Sequence, residues 1–387
     1  MENSSNNQYY VEPKNILGKG SFGVVYKGTL TKGNKKIPVA MKHISQQIIN
    51  DKNLLQLLSN EVVISANLLK EEDNNQNGEN QMKNIVAFLD IIKYDNKDYL
   101  VYEFCNGGDL KRYIRYFKNL DEKMIQNIMR QILFGLNRLH EKKVVHHDIK
   151  PENILVELCL PKGDNSDLEE TIKQVMETTS SKRYGKDKDN NNNNKMDNAR
   201  LLDILNSSTF KLSDFGLSKE MKSFNNKEVS GSPLYIDPVL FNQNIDRETI
   251  HNEKVDIWAL GVLAYEMFFY ELPFQPFPPK IDKLKAMLDK GQYFIDMKKC
   301  KKISKQFLSF LNMCLQRPQK IRPLTDELLC CEFITTDPES FTYLTIDNYK
   351  DIEYPDDSYL QKDGVITMNI DDNRMINAIF DKSEKDK

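Results

Sequence analysis

The chain has 387 residues, of which 40% are hydrophobic and 29% charged, and its formal net charge is −3. This length allows two lobes with a substantial core, because single hydrophobic cores stop growing at about 250–300 residues. The charge excludes an overall basic protein of the kind that coats nucleic acid or anionic membranes, so we expect no nucleic-acid partner and no membrane partner.

The cysteines and the first residues bear on the cellular compartment. The six cysteines show neither CxxC spacing nor the density of a small disulfide-rich domain, so reduced thiols are expected. The N-terminus has no basic region followed by an apolar one, and no apolar run reaches the roughly 18 residues of a membrane span. These features predict a soluble cytoplasmic protein.

In chain order, residues 1–9 form an extension, and residues 10–104 alternate β-branched and aromatic runs with glycine-bearing turns. This pattern predicts a strand-rich lobe, with one helix over 54–69 and an exposed polar loop over 71–81. Residues 105–335 are predicted to form a mainly helical lobe. In this lobe an amphipathic helix should cover 121–140, and the apolar run over 258–270 is typical of a helix buried on all sides.

Two segments have a composition unlike the rest. A low-complexity insertion at 157–209, with five consecutive asparagines at 190–194, is expected to be largely disordered and to project from a turn. Apolar residues around Leu168 lie on one helical face, and a second apolar cluster surrounds Leu201. We expect any role of the insertion to be the docking of a partner, and a short glycine-containing turn should replace it without loss of folding. Residues 336–387 hold 13 Asp/Glu against 6 Lys/Arg, which predicts a mobile or loosely docked acidic tail.

A glycine-rich segment lies between two predicted strands, at Gly18-Lys19-Gly20-Ser21-Phe22-Gly23. A dinucleotide-binding loop would open a helix, whereas a loop between strands can fold over phosphates and bring backbone N–H groups close to them. Taken alone, the segment is better interpreted as a plain glycine turn. What favours phosphate binding is a strand that ends in Lys42, nineteen residues after Gly23, followed at the same interval by Glu61 on the predicted helix.

Chemically active side chains are densest in His146-His147-Asp148-Ile149-Lys150-Pro151-Glu152-Asn153. A second cluster, Asp214-Phe215-Gly216, follows an alternating strand. These two clusters and the glycine-rich segment resemble, in their order and spacing, the motifs of the eukaryotic serine/threonine protein kinases. The motifs are most similar to those of the calcium/calmodulin-dependent branch and of the autophagy-initiating kinases.

The resemblance covers residues 10–335. It implies an α+β bilobal fold, with a small antiparallel β-sheet lobe that carries one helix (10–104) and a larger, mainly helical lobe (105–335). It also implies ATP and Mg²⁺ as cofactors and protein hydroxyl groups as substrates. Lysine two residues after Asp148 is the serine/threonine pattern.

The resemblance assigns a role to each site residue. Asp148 would accept the proton of the substrate hydroxyl, and Lys150 would neutralise the transferring phosphoryl group. Lys42 would contact the α and β phosphates while Glu61 holds it, although the simplest alternative for a helical glutamate is a solvated face. The implied metal ligands are Asn153 and Asp214. The implied nucleotide-binding residues are Gly18, Lys19, Gly20, Ser21, Phe22, Gly23, Val24, Val25, Ala40, Lys42, Tyr102 at the gatekeeper position, Glu103, Cys105 and Asp109.

The chain departs from the family pattern at three positions. His147 replaces the usual arginine, and Asp237-Pro238-Val239 replaces the usual Ala-Pro-Glu. The glutamate that normally pairs with Arg322 is therefore missing, so Arg322 should find another acceptor or reach solvent. Asp256 matches the residue that braces the catalytic loop. His147, Val239 and the large insertion leave open a pseudokinase scaffold of the same fold, and a small-molecule kinase on a related fold is a further alternative.

Two further expectations concern substrate and regulation. Asp109, Glu152 and Glu266 match positions that face substrate in basophilic relatives, which predicts a preference for Arg or Lys two or three residues upstream, although they could equally be structural acids. Glu228 stands where relatives commonly carry a phosphorylated threonine. With His147 in place of arginine, this change predicts basal activity without activation-loop phosphorylation, unless Ser223, Ser230 or Ser232 takes over the switch.

Overall fold

The computed structural model describes residues 7–20, 23–69, 83–161, 166–177, 195–220, 232–241, 253–274, 281–349 and 364–371. Several sequence-based predictions lie outside these residues. They concern Ser21 and Phe22, the polar loop at 71–81, the asparagine run at 190–194, and Glu228.

The N-terminal lobe is a five-stranded antiparallel sheet with strand order β1-β2-β3-β5-β4. Its strands are β1 (Asn7–Gly20), β2 (Gly23–Lys32), β3 (Lys35–Ile44), β4 (Phe88–Tyr94) and β5 (Lys97–Glu103). Two helices follow β3, the short α1 (Gln46–Asn50) and the longer α2 (Lys52–Leu69), so the predicted helix over 54–69 is confirmed. Because side chains alternate along a strand, β3 buries Val39 and Met41 and turns Lys42 to the opposite face.

The C-terminal lobe is mainly helical, as predicted, so the bilobal fold is confirmed. Its helices are α3 (Leu110–Phe117), α4 (Glu122–Glu141), α5 (Ser166–Glu177), α6 (Lys195–Ser207), α7 (Lys254–Phe269), α8 (Ile281–Asp289), α9 (Met297–Cys300), α10 (Lys305–Cys314), α11 (Thr325–Leu329) and α12 (Glu332–Thr335). Within the described residues, no helix is long and apolar enough to cross a membrane.

Two of these helices match their sequence patterns closely. Asp121 caps α4 by accepting a hydrogen bond from the Met124 amide, and the apolar stripe of α4 is buried in the lobe. Helix α7 is buried on nearly every side, as its continuous apolar sequence predicts. Tyr270 caps its C-terminus: it adopts a left-handed conformation, and its amide donates a hydrogen bond to the Glu266 carbonyl.

Short strand pairs complete the lobe. The strands are β6 (Val144–Val145), β7 (Ile154–Glu157), β8 (Thr209–Leu212), β9 (Lys219–Glu220), β10 (Gln292–Asp296), β11 (Lys302–Ser304), β12 (Tyr343–Thr345) and β13 (Val365–Asn369). They pair as β6–β9, β7–β8, β10–β13 and β11–β12. The catalytic motifs flank the β7–β8 pair: strand β7 begins directly after Asn153, and strand β8 ends shortly before Asp214.

The insertion departs from the expected disorder. The insertion connects Glu157, the last residue of β7, to Thr209, the first residue of β8, and these two residues pair with each other. It therefore projects from the turn between the two strands, as expected. However, its helices α5 and α6 bury Leu168, Val175 and Leu201 completely in the core of the lobe. Tyr116 of α3 donates a hydrogen bond to Asn198 at 2.9 Å. The expectation of disorder is therefore wrong for these helices.

The insertion also covers apolar surface that the lobe would otherwise expose. Each fully buried aliphatic side chain stabilises the fold by about 1.5–3 kcal/mol. The expectation that a short turn could replace the whole insertion without loss of folding therefore loses its physical basis. The apolar spacing around Leu168 and Leu201 reflects packing against α3 and α4.

The acidic tail is also integrated into the lobe. Strand β12 pairs with β11, and β13 pairs with β10 over five residues. Ile366, Met368 and Ile370 are completely buried, and Arg317 holds Asp371 through two hydrogen bonds of 2.5 and 2.6 Å. The expectation of a mobile or loosely docked tail is therefore wrong for residues 336–349 and 364–371.

Candidate active site

Lys42 and Glu61 form an ion pair that joins the sheet to helix α2. Both carboxylate oxygens of Glu61 accept hydrogen bonds from Lys42 Nζ, each at 2.8 Å. Glu61 is buried, which excludes the solvated face that was the alternative reading of this residue. Burial alone would lower the pKa of Lys42, but the charges of Glu61 and then Asp214 outweigh it and raise the pKa. Lys42 therefore remains a cation at physiological pH.

Asp214 approaches the same lysine from the other lobe, with Oδ1 3.7 Å from Lys42 Nζ. It follows strand β8 and adopts a left-handed conformation, with φ of 62°. Backbone conformations of this kind are costly for residues other than glycine and concentrate at functional sites. The strand and this turn set the position of the Asp214 carboxylate beside Lys42.

Asp148 is the centre of a dense hydrogen-bond network. Its Oδ2 accepts from Lys150 Nζ at 2.5 Å and from Asn153 Nδ2 at 2.8 Å. Its Oδ1 accepts from the amide and the hydroxyl of Ser232, at 3.1 and 3.0 Å. Burial alone would raise the pKa of Asp148, but the hydrogen bond and charge of Lys150 outweigh it and lower the pKa. Asp148 is therefore an ionised carboxylate at neutral pH.

Asp256, on the buried helix α7, braces the loop that carries Asp148. Its two oxygens accept the amides of His146 and His147, each at 2.8 Å, and His140 Nε2 lies 2.9 Å from Oδ2. His147 has a positive φ of 66°, so the loop turns sharply just before Asp148. The predicted bracing role of Asp256 is confirmed by these contacts.

The glycine-rich segment connects β1 and β2 as a hairpin. Gly18 pairs with Val25, Lys19 with Val24, and Gly20 with Gly23. Gly23 has a φ of 125°, and a β-carbon there would lie 2.2 Å from the carbonyl oxygen of His43. Only glycine fits this position. Of the residues assigned to phosphate binding, Ser21 and Phe22 lie outside the described part of the chain.

The segment after β5 connects the two lobes. Ala40 pairs with Tyr102 across the β3–β5 ladder, and the Glu103 amide donates to the Ala87 carbonyl at 2.9 Å. The Glu103 carboxylate accepts from Lys211 at 2.5 Å, so its side chain ties the connection to β8. Cys105 is buried beside it. The backbone carbonyl of Glu103 and the backbone of Cys105 are the groups that could meet an adenine ring.

The three acids expected to face substrate already have cations from this chain. Asp109 caps α3 and accepts from Arg112 Nε at 2.9 Å, so its side chain stabilises the start of that helix. Lys111 Nζ lies 2.5 Å from Glu266 and 3.7 Å from Glu152. Glu266 is completely buried and also accepts a hydrogen bond from the Tyr235 hydroxyl. Burial raises the pKa of Glu266 to about 7, against the opposing charge of Lys111.

The donor set at the cleft fits Mg²⁺. Asp214 Oδ1 is buried and has no hydrogen-bond partner among the described residues. Asn153 uses its amide nitrogen to bond the backbone and carboxylate of Asp148, so its amide oxygen remains as a ligand. No group of three or more His, Cys, Asp or Glu side chains suited to a metal occurs in the described ranges. Two hard oxygen ligands are what Mg²⁺ needs when phosphate oxygens complete its shell.

Two side-chain contacts in the site are not indicated by the sequence motifs. The sequence presents Ser232 as a possible phosphorylation site, and in the structure its hydroxyl donates to Asp148 and accepts a hydrogen bond from Lys150 at 2.8 Å. The resemblance implies for Tyr102 only a gatekeeper position, and in the structure its hydroxyl donates to Glu61 at 2.7 Å. Ser232 lies just before the altered Asp237-Pro238-Val239 motif, whereas no local sequence signal indicates the contact between Tyr102 and Glu61.

Comparison with known proteins identifies relatives of this chain. Residues 11–331 match the family described as protein tyrosine and serine/threonine kinase. The chain is 28% identical over 330 residues to human serine/threonine-protein kinase ULK1, covering 84% of this chain and 25% of that protein. It is 29% identical over 281 residues to unc-51 of Caenorhabditis elegans, covering 72% and 26%.

A viral protein is also similar. A putative serine/threonine-protein kinase, R517/R518 of Acanthamoeba polyphaga mimivirus, is 31% identical over 279 residues, covering 69% of this chain and 51% of that protein. The chain thus spans about a quarter of the length of the first two relatives and half that of the third. The resemblance to the autophagy-initiating kinases is confirmed.

Proposed function

Because the chain belongs to the protein tyrosine and serine/threonine kinase family, we propose that it transfers the γ-phosphoryl group of ATP to serine and threonine hydroxyl groups of proteins. The observation that carries the proposal is the Lys42–Glu61 pair at 2.8 Å with Asp214 beside it, since this arrangement presents a cation and a metal ligand together. Relatives named as serine/threonine-protein kinases support the choice of acceptor.

The residues divide the work between the two lobes. When bound, ATP and Mg²⁺ supply the phosphoryl group and the charge neutralisation that it needs. Lys42 would hold the phosphates, while Asp214 and Asn153 would hold the cation. Asp148 would orient the acceptor hydroxyl and take its proton, with Lys150 stabilising the charge that develops at the same point. Asp148 and Lys150 belong to one hydrogen-bond network, which fixes the positions of both side chains.

The pseudokinase alternative lacks a supporting observation. It was raised by His147, by Val239 and by the insertion. The structure gives His147 a place in the braced loop, and it packs the insertion helices in the core. Lys42, Glu61, Asp148, Asn153 and Asp214 are all present with the contacts described above. A scaffold would not require this set, and a small-molecule kinase would not require a segment like 232–241 against Asp148.

We also propose that activity does not depend on phosphorylation of the activation segment. The support comes from the sequence, in which His147 replaces the arginine that would bind a phosphorylated residue and Glu228 stands where relatives commonly carry a phosphorylated threonine. Residues 221–231, which include Ser223, Glu228 and Ser230, lie outside the described part of the chain. The Ser232 hydroxyl is hydrogen-bonded to Asp148 and Lys150 within the site, so it is poorly placed to serve as a regulatory phosphorylation site.

One assay tests both proposals. Protein expressed in bacteria, treated with phosphatase and shown by mass spectrometry to be unmodified, should phosphorylate a degenerate serine/threonine peptide library with ATP and Mg²⁺. Activity that appears only after a kinase modifies residues 217–236 would contradict phosphorylation independence and leave the kinase assignment intact. Absence of transfer in both states would contradict the kinase assignment.

The contacts of Lys111 argue against a strong preference for basic residues upstream of the acceptor. An incoming arginine would be attracted by uncompensated carboxylates in a partly desolvated cleft. Here Arg112 already neutralises Asp109, and Lys111 neutralises Glu266 and lies close to Glu152. We therefore propose that the native enzyme selects weakly for basic residues at these positions.

Removing Lys111 should reveal the selection that it suppresses. In Lys111→Met, kcat/KM for a peptide with an upstream arginine should rise about fivefold relative to its alanine counterpart, because that arginine can then pair with the half-exposed Glu152, and an exposed ion pair contributes up to about 1 kcal/mol. Lys123→Met is the matched control, since Lys123 pairs with the exposed Glu339 and not with these acids. A strong arginine preference in the native enzyme, unchanged in Lys111→Met, would contradict the proposal.

A further inference from the structure

Tyr102 shares a buried carboxylate with the phosphate-binding lysine. Its hydroxyl donates to Glu61 Oε1 at 2.7 Å, while Lys42 Nζ donates to both Glu61 oxygens at 2.8 Å. The two donors come from neighbouring strands, β5 and β3, and the acceptor comes from helix α2. The helix is therefore tied to the sheet at two points through one side chain.

The ring that carries this hydroxyl is held in place by packing. It meets the edge of Phe88, with ring centroids 5.5 Å apart and planes at 65°. Tyr102 also packs against the small cluster of Leu58, Phe88 and Leu100, in which Leu58 belongs to α2. The ring thus contacts both the sheet and the helix. Its hydroxyl needs little further ordering to reach Glu61, so the hydrogen bond costs little conformational entropy.

The hydroxyl remains a donor over the physiological pH range. Burial, and then the charge of Glu61, raise the pKa of Tyr102 well above its usual value. Tyr102 is therefore protonated at physiological pH and donates to the Glu61 carboxylate, and hydrogen bonds to charged acceptors are stronger than those between neutral groups. A hydrophobic residue of similar size would fill the same space and leave Glu61 with one partner fewer.

We propose that Tyr102 is a positioning residue that holds Glu61, and through it Lys42, in the geometry required for phosphate contact. The inference rests on the proposed kinase function and deepens it, because it assigns to this chain a built-in restraint on α2. A helix restrained in this way needs no phosphate group on the activation segment to bring Glu61 to Lys42. The gatekeeper position then acts through its polar atom and not only through its bulk.

Tyr102→Phe tests the hydroxyl alone, because the ring and its contact with Phe88 are kept. We expect kcat to fall about tenfold, which corresponds to about 1.4 kcal/mol, while KM for ATP changes less than about twofold. This split follows because a less populated productive geometry slows the chemical step without removing any atom that touches the nucleotide. The matched control is Tyr9→Phe, which deletes a hydroxyl bonded to the Asp90 carboxylate at 2.9 Å in the same lobe. Its kcat should stay at the native value.

A double-mutant cycle shows whether Tyr102 acts through Glu61. If it does, Tyr102→Phe combined with Glu61→Ala should be no less active than Glu61→Ala alone, because the shared partner has already been lost. Multiplied effects of the two substitutions would overturn the proposal. So would a Tyr102→Phe enzyme whose kcat stays within about twofold of native.

Hydrogen–deuterium exchange tests the restraint without relying on activity. Amides of residues 52–69 should exchange faster in Tyr102→Phe than in the native protein, and should be unchanged in Tyr9→Phe. Unchanged exchange in α2 of Tyr102→Phe would overturn the proposal even in an active enzyme. Faster exchange in a protein that transfers no phosphate would support the restraint and contradict the kinase assignment, so the two failures can be told apart.

Discussion

Asp148→Asn should lower kcat for peptide phosphorylation by roughly 10²–10⁴-fold, the usual contribution of a positioned general base. The amide cannot take the proton of the acceptor hydroxyl. It also places an N–H₂ group among four donors that now converge on the carboxylate, from Lys150, Asn153 and Ser232. Affinity for ATP should remain within about twofold, because Asp148 is assigned to the acceptor side of the cleft.

The companion variant Asp214→Asn distinguishes the role of the Asp214 carboxylate from that of Asp148. Its side chain is assigned to the cation, so this variant should lose both kcat and affinity for ATP with Mg²⁺. Steady-state kinetics, nucleotide binding by calorimetry and thermal melting should be measured on both proteins. A folded Asp148→Asn protein with near-native phosphotransfer would contradict the assigned mechanism.

Asp237→Asn should destabilise the fold by about 3–5 kcal/mol, the cost of breaking one side of a buried ion pair. Asp237 and Arg322 are both completely buried as side chains, and Arg322 Nη1 lies 2.5 Å from Asp237 Oδ2. Gln319 donates to the same oxygen at 2.9 Å, and the Val239 amide donates to Oδ1 at the same distance. Asparagine would leave the guanidinium charge without its counterion.

Asp371→Asn is the matched control for this experiment. It removes the same charge from an arginine pair, but the side chains of Arg317 and Asp371 are about one-third exposed, so the expected cost is under about 1 kcal/mol. Urea or thermal unfolding of both variants gives the comparison. Equal, small losses would show that Asp237 is not the acceptor that stabilises Arg322.

Asp237 replaces the glutamate that is missing from the altered Asp237-Pro238-Val239 motif as the acceptor for Arg322. The sequence shows a missing glutamate and predicts that Arg322 must find another acceptor. The structure supplies it from two residues upstream of Val239, in the same segment. Arg322 further donates to the Gln316 and Lys254 carbonyls and lies over the ring of Trp258. The buried ion pair of the family is therefore retained with a different acid.

The sequence by itself determined the elements and the motifs that they carry. The apolar spacing of α4, the continuous apolar run of α7 and the strand before Lys42 depend on local periodicity, which the chain displays directly. The interval from Lys42 to Glu61 places both on known elements, so their pairing could be predicted through the family resemblance. The same holds for Asp148, Asn153 and Asp214, because each lies at the end of a strand or in the loop beside it.

Only the tertiary structure decided which distant side chains meet. Lys111 and Glu266 are 155 residues apart, and Tyr102 and Glu61 are 41 apart. Periodicity reports which face of an element is apolar, but the partner of a polar side chain depends on how separate elements pack. The acidic tail and the insertion show the same limit, because an average composition conceals short apolar stretches such as 365–370. Those stretches are buried because strands and helices elsewhere in the lobe offer a complementary edge or face.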